Sequence, residues 1–95
     1  MYTAQPPPKR VDPYYKQPEH LAWRARVLAR AGRKCEWVER GRACGRSEAR
    51  MFADHIKELE DGGEPFALSN GQCLCGRHHT IKTNRERARR HGLVE

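Results

Sequence analysis

The sequence predicts a small α+β domain stapled by metal, and three observations carry that expectation. A striped, arginine-rich segment opens at Pro18 and stops at Gly32, which predicts a helix near the N-terminus. Two short extended stretches, residues 50–56 and 72–75, are separated by an acidic loop and followed by a basic helical segment from Gly76. Cys35, Cys44, Cys73 and Cys75 stand in a chain of 95 residues that is only 37% hydrophobic. A chain this short, with a mean hydropathy of −0.99, buries too little apolar surface to stand on its core alone.

Residues 1–17 hold Pro6-Pro7-Pro8, Pro13 and Tyr14-Tyr15 without periodicity and read as an extended or disordered Pro-rich arm, which leaves residues 18–95 as the domain. In the first helix Pro18 suits the first turn and Gly32 the position just past the end. Leu21, Ala25 and Leu28 form one stripe, with Trp23, Val27 and Ala31 beside it. From Cys35 to Gly45 the chain changes character. Cys44-Gly45-Arg46 is echoed by Cys75-Gly76-Arg77, and a glycine after a ligand cysteine permits the tight turn of a metal knuckle. Cys35, Cys44, Cys75 and His78 thus make a closed structural zinc site, in which the eight residues between Cys35 and Cys44 form a small hairpin. Cys73 shares a strand face with Cys75; it either displaces His78 as fourth ligand or is a buried thiol without a role.

Residues 50–56 read as a short strand on which alternation sends Asp54 and His55 to opposite faces. The acids of loop 57–66 are expected to be solvated. From Gly76 a helix should run to His91-Gly92, with His79 and Lys82 on one face. His20 and His91 are read as structural.

Nineteen Lys plus Arg against twelve Asp plus Glu give a net charge of +7. Residues 1–34 carry eight bases and two acids, residues 35–66 five and eight, and residues 67–95 six and two. Basic flanks around an acidic middle suit a polyanion gripped on both sides of a metal centre. No apolar run approaches a signal peptide or a membrane span, so the thiols are read as reduced and cytoplasmic.

Asp54 beside His55 pairs a hard oxygen ligand with a nitrogen that takes a proton near neutral pH, and His79 can complete a metal site. A divalent ion on Asp54 and His79 would polarise a phosphate while neutral His55 accepts a proton from water, which is metal-assisted phosphodiester hydrolysis. Carboxylate plus imidazole suits Mg²⁺ or Mn²⁺, with Ni²⁺ or Co²⁺ as alternatives. Asn70 either forms a turn beside Gly71, orients His55 or joins the metal shell.

Asp54-His55, Asn70 and the run from Ser69 to Thr83, with its Leu74-Cys75 pair, His78-His79 and Lys82-Thr83, resemble the HNH endonuclease family. The likeness spans roughly residues 35–84, with His78 standing where the family commonly has cysteine. It implies a ββα-metal fold, catalytic roles for His55 and Asn70, and cleavage of DNA to 5′-phosphate and 3′-hydroxyl ends. Lys82, Arg85 and Arg89 would then contact DNA. The resemblance also implies a phage or prophage setting, with packaging or other DNA-processing proteins as partners. The competing expectation is a non-catalytic zinc-ribbon DNA-binding module.

Overall fold

The computed structural model describes residues 17–92; the Pro-rich arm expected at 1–17 lies, but for Gln17, outside the described residues. The domain is α+β, with two helices and two small antiparallel sheets: α1 (Pro18–Arg30), β1 (Val38–Glu39), β2 (Arg42–Ala43), β3 (Phe52–His55), β4 (Gly71–Leu74) and α2 (Gly76–Arg90). Short 3₁₀ turns at Leu59–Asp61 and Leu68–Asn70 interrupt the long connection between β3 and β4.

Helix α1 begins with Pro18 and Glu19 in its first turn, a residue with fixed φ followed by an acid at the positive pole. It ends as the sequence predicts. Gly32, at φ +63°, donates to Ala29 O at 3.0 Å and Arg33 donates to Leu28 O at 2.9 Å, the paired bonds of a Schellman motif. The buried stripe differs from the expected one: Leu21 is 54% exposed, while His20, Trp23 and Val27 turn inward. Trp23 and Val27 therefore set the rotation of α1, because the sheet approaches most closely beneath them. A methyl group on Gly71 of β4 would overlap both side chains, so only glycine lets the helix seat at this depth.

The hairpin expected between Cys35 and Cys44 is present, with Val38 opposite Ala43 and Glu39 opposite Arg42. Its two-residue turn, Arg40-Gly41, has φ values of 53° and 75°, the double positive φ of a type I′ turn. Strands β3 and β4 pair antiparallel, Phe52 opposite Leu74 and His55 opposite Gly71, and α2 follows directly. Met51, Leu74, Trp23, Val27 and Leu28 make a core completed by Cys35, Cys73 and Cys75. Among the described residues no helix is long and apolar enough to cross a membrane.

Candidate metal centre and adjoining groove

Backbone pairing brings the knuckle together. The N–H of Cys35 donates to Arg46 O at 2.8 Å, Gly45 N–H to Cys35 O at 2.9 Å, and Cys44 N–H to Trp37 O at 2.8 Å, so the hairpin returns Cys44 beside Cys35. Cys75 caps α2, and His78 lies one turn in. The donor atoms of Cys35, Cys44, Cys75 and His78 all lie within 4.8 Å of one another, a cluster that can hold a metal ion. His78 Nδ1 is 3.5 Å from both Cys35 Sγ and Cys75 Sγ, close to the roughly 3.6 Å that separates sulfur and nitrogen ligands around tetrahedral zinc. Three of the four are buried and Cys44 is exposed.

Burial pushes the Cys35 thiol up to about 11. Burial acts in the same sense on Cys75, but hydrogen bonds from the His78 backbone and from the other two sulfurs prevail and lower it. Of these two, Cys75 at the helix N-terminus is therefore the readier thiolate, and a divalent ion must displace the proton of Cys35 to bind there. Cys73 stands apart from the cluster, fully buried in the core, where burial raises its thiol.

On the other side of α2, strand β3 ends at His55, where Ile56 N–H donates to Asn70 O at 3.0 Å. Asp54 and His55 leave the strand on opposite faces, as alternation requires, yet both line the same open groove with His79 and Glu58. Asp54 Oδ1 lies 3.8 Å from His79 Nδ1, a buried nitrogen with no hydrogen-bond partner among the described residues. Asp54 Oδ2 lies 2.9 Å from Lys82 Nζ, which also bonds Glu58 Oε2. Gln72 Nε2 donates to the same Asp54 oxygen at 3.4 Å.

Aromatic faces hold the histidines. His55 stacks on Trp23 at 4.2 Å and 10°, His79 on Phe52 at 4.2 Å and 4°, and His78 on Trp37 at 5.4 Å and 10°. The Trp23 indole is itself fixed by its N–H to Ala67 O at 2.9 Å. His55 Nε2 sits 3.0 Å from Pro65 O. A carbonyl only accepts, so Nε2 carries the hydrogen and the neutral ring's basic lone pair is on Nδ1.

Several expectations change. Asn70 spends its amide on the loop: Oδ1 accepts from Lys57 N–H at 2.8 Å, and Nδ2 donates to Lys57 O at 3.1 Å and Glu64 O at 2.9 Å. It thereby fixes the loop that carries Pro65 and orients His55 at one remove. Lys82, expected at a phosphate, is 7% exposed and turned between two carboxylates. Burial would lower its pKa, but the hydrogen bonds to Glu58 and Asp54 raise it. Arg89 pairs with Glu86 at 2.7 Å and Asp61 at 2.8 Å, and Arg85 lies over Trp37. The loop acids are not simply solvated: Glu58 takes Lys82, Glu60 takes Arg90 at 2.6 Å, and Asp61 takes Arg89.

His20, expected to be structural, is buried against Trp23 at 5.4 Å and also lines the groove with Asp54, His55 and His79. Its spacing three before Trp23 and seven before Val27 was the available signal. Burial, and then the neighbouring His55 and Arg24, lower its pKa. No family model matches the chain, and neither a curated protein nor a solved structure matches it.

Proposed function

We propose that the chain is a metal-dependent DNA endonuclease of the HNH type, with β3, β4 and α2 as its ββα-metal unit. The observation that carries this reading is the pairing of Asp54 Oδ1 with the buried, unpartnered His79 Nδ1 across 3.8 Å, beside a histidine of defined tautomer. One hard oxygen and one imidazole nitrogen fit Mg²⁺ or Mn²⁺, with Ni²⁺ or Co²⁺ as alternatives. When bound, such an ion supplies positive charge to the phosphate and to the leaving oxygen.

The remaining work falls to the chain's own groups. His55 Nδ1 accepts the proton of the attacking water, and the Pro65 carbonyl and the Trp23 face keep the ring from turning. Asn70 holds the loop behind that carbonyl. Lys82 grips one Asp54 oxygen and leaves the other facing His79. Zinc at Cys35, Cys44, Cys75 and His78 would fix the start of α2, and with it the position of His79 one residue later.

One observation favours a second reading, a non-catalytic zinc module that binds DNA: Lys82 already compensates the charge of Asp54. Plasmid nicking by zinc-loaded protein, with and without added Mg²⁺ or Mn²⁺, separates the two. Because His55 is 8% exposed and packed on Trp23, its removal disturbs the fold, so His55→Gln is the better probe. Loss of a general base slows cleavage by about 10²–10⁴-fold, and the variant should keep its zinc content and DNA affinity. Nicking that needs no added ion, or that survives His55→Gln at the wild-type rate, would overturn the hydrolytic reading.

A further inference from the structure

A cavity of about 510 Å³ lies between the β1–β2 hairpin and the first turn of α2, and its lining shares no residue with the Asp54 groove. Arg40, Arg42 and Arg77 line it, with Glu39 the one acid on its wall. Among the described residues these three arginines form no ion pair, in contrast to Arg89 and Arg90 at the far end of α2, which carboxylates neutralise. Arg40 is also held at φ 53° in the type I′ turn, where asparagine, aspartate or glycine is favoured. A long cationic side chain there opposes local preference and finds no partner within the described fold. Cys44 and His78, two of the four donors of the knuckle, complete the wall, so the arginines border the metal cluster, and Gly76 N–H at the start of α2 is taken by Glu48 Oε2 at 2.8 Å.

We propose that this cavity is a second nucleic-acid contact, in which Arg40, Arg42 and Arg77 take phosphates of a duplex backbone at a distance from the hydrolytic groove. Planar guanidinium groups match phosphate oxygens in pairs. The tight hairpin presents two of them in fixed register, and a chain of net charge +7 supplies the long-range attraction. The contact grips without reading bases, which moves the main phosphate anchor from α2, where Lys82 is buried, to the knuckle. The inference rests on the nucleic-acid part of the proposed function and not on hydrolysis.

The test is equilibrium binding of zinc-loaded protein to a fluorescent phosphorothioate duplex across a range of salt, with no added Mg²⁺ or Mn²⁺. Each lost phosphate contact lowers the slope of log affinity against log salt by about 0.9, so the triple variant Arg40→Asn, Arg42→Ala, Arg77→Ala should lose about 2.7. Arg40→Asn alone should lose about one while raising the melting temperature, because asparagine suits the turn. Zinc content should not change. A zinc-replete triple variant with the wild-type slope overturns the proposal. So does loss of zinc from it, which would make the arginines counter-charges for the thiolates. A reduced slope in a protein that cleaves nothing refutes only the hydrolytic reading, whereas cleavage with an unchanged slope refutes only this site.

Discussion

Adjacent residues on one helix belong to two donor clusters of opposite kind. His78 faces the knuckle, where three sulfurs and a nitrogen close on a single point, and His79 faces the groove, where one carboxylate oxygen and one nitrogen leave most directions open. The knuckle is mostly buried; the groove's Asp54 and Glu58 share a single buried lysine, which offsets one of their two charges. A closed donor set suits an ion that holds a fold, and an open pair suits an ion that must also meet a substrate. On the proposed reading metal dependence should therefore split: stability should follow the knuckle, and cleavage the groove.

The largest expected effect tests the first half of that split. Structural zinc contributes about 10–16 kcal/mol of apparent binding energy in small knuckle domains, so chelation or Cys75→Ser should abolish the cooperative thermal transition, followed by circular dichroism. Cys73→Ser should leave zinc content intact and cost about 1–3 kcal/mol, since it only places a hydroxyl in the core. A stripped protein that melts at the same temperature as the loaded one would erase the distinction between the two sites.

A smaller effect sharpens the groove. Lys82 is 7% exposed, and replacing it with methionine leaves Asp54 and Glu58 facing each other without a cation. Breaking such a pair costs about 3 kcal/mol. If the groove takes a divalent ion, added Mn²⁺ should restore part of the lost melting temperature in Lys82→Met and shift wild type less. Because the pKa of Lys82 is raised from 10.5, its contribution is fully present below that value and disappears as pH climbs through the raised one. Lys82→Met should lack that alkaline loss. A variant that Mn²⁺ does not rescue would leave the groove as a salt bridge and favour the binding module.

Much of this arrangement was legible in the sequence. Gly32 marked the end of α1, the Cys-Gly-Arg echo marked the knuckle, and the hairpin followed from the long gap between Cys35 and Cys44, because each of these is a local constraint on backbone shape. What escaped were partner choices across long separations. Lys82 meets Glu58 at a separation of 24 residues, and Trp23 slides beneath His55 only because α1 rotates Leu21 out to 54% exposure. Apolar spacing gives a helix a stripe but not its rotation over a sheet, which here is set by Gly71 admitting Trp23 and Val27. The same rotation carries His20 into the groove, on the face that its spacing from Trp23 and Val27 shares.

His20 also provides the smallest and most selective probe of the difference between the sites. It is buried beside His55 and Arg24, and burial and then those neighbours lower its pKa from the ordinary 6.5. A histidine held neutral in the folded state adds stability that is present above 6.5 and lost as pH falls below it, because the unfolded chain takes up the proton first. Acid also weakens metal binding in general, but with zinc saturating that loss is common to wild type and variant. The expected result is a melting-temperature difference between wild type and His20→Leu that shifts in favour of the variant as pH drops from about 7 to about 5, with the unfolded histidine titrating near 6.5. If the difference instead stays constant over that window, His20 is not held neutral, and the α1 wall of the groove is more open to water than its burial indicates.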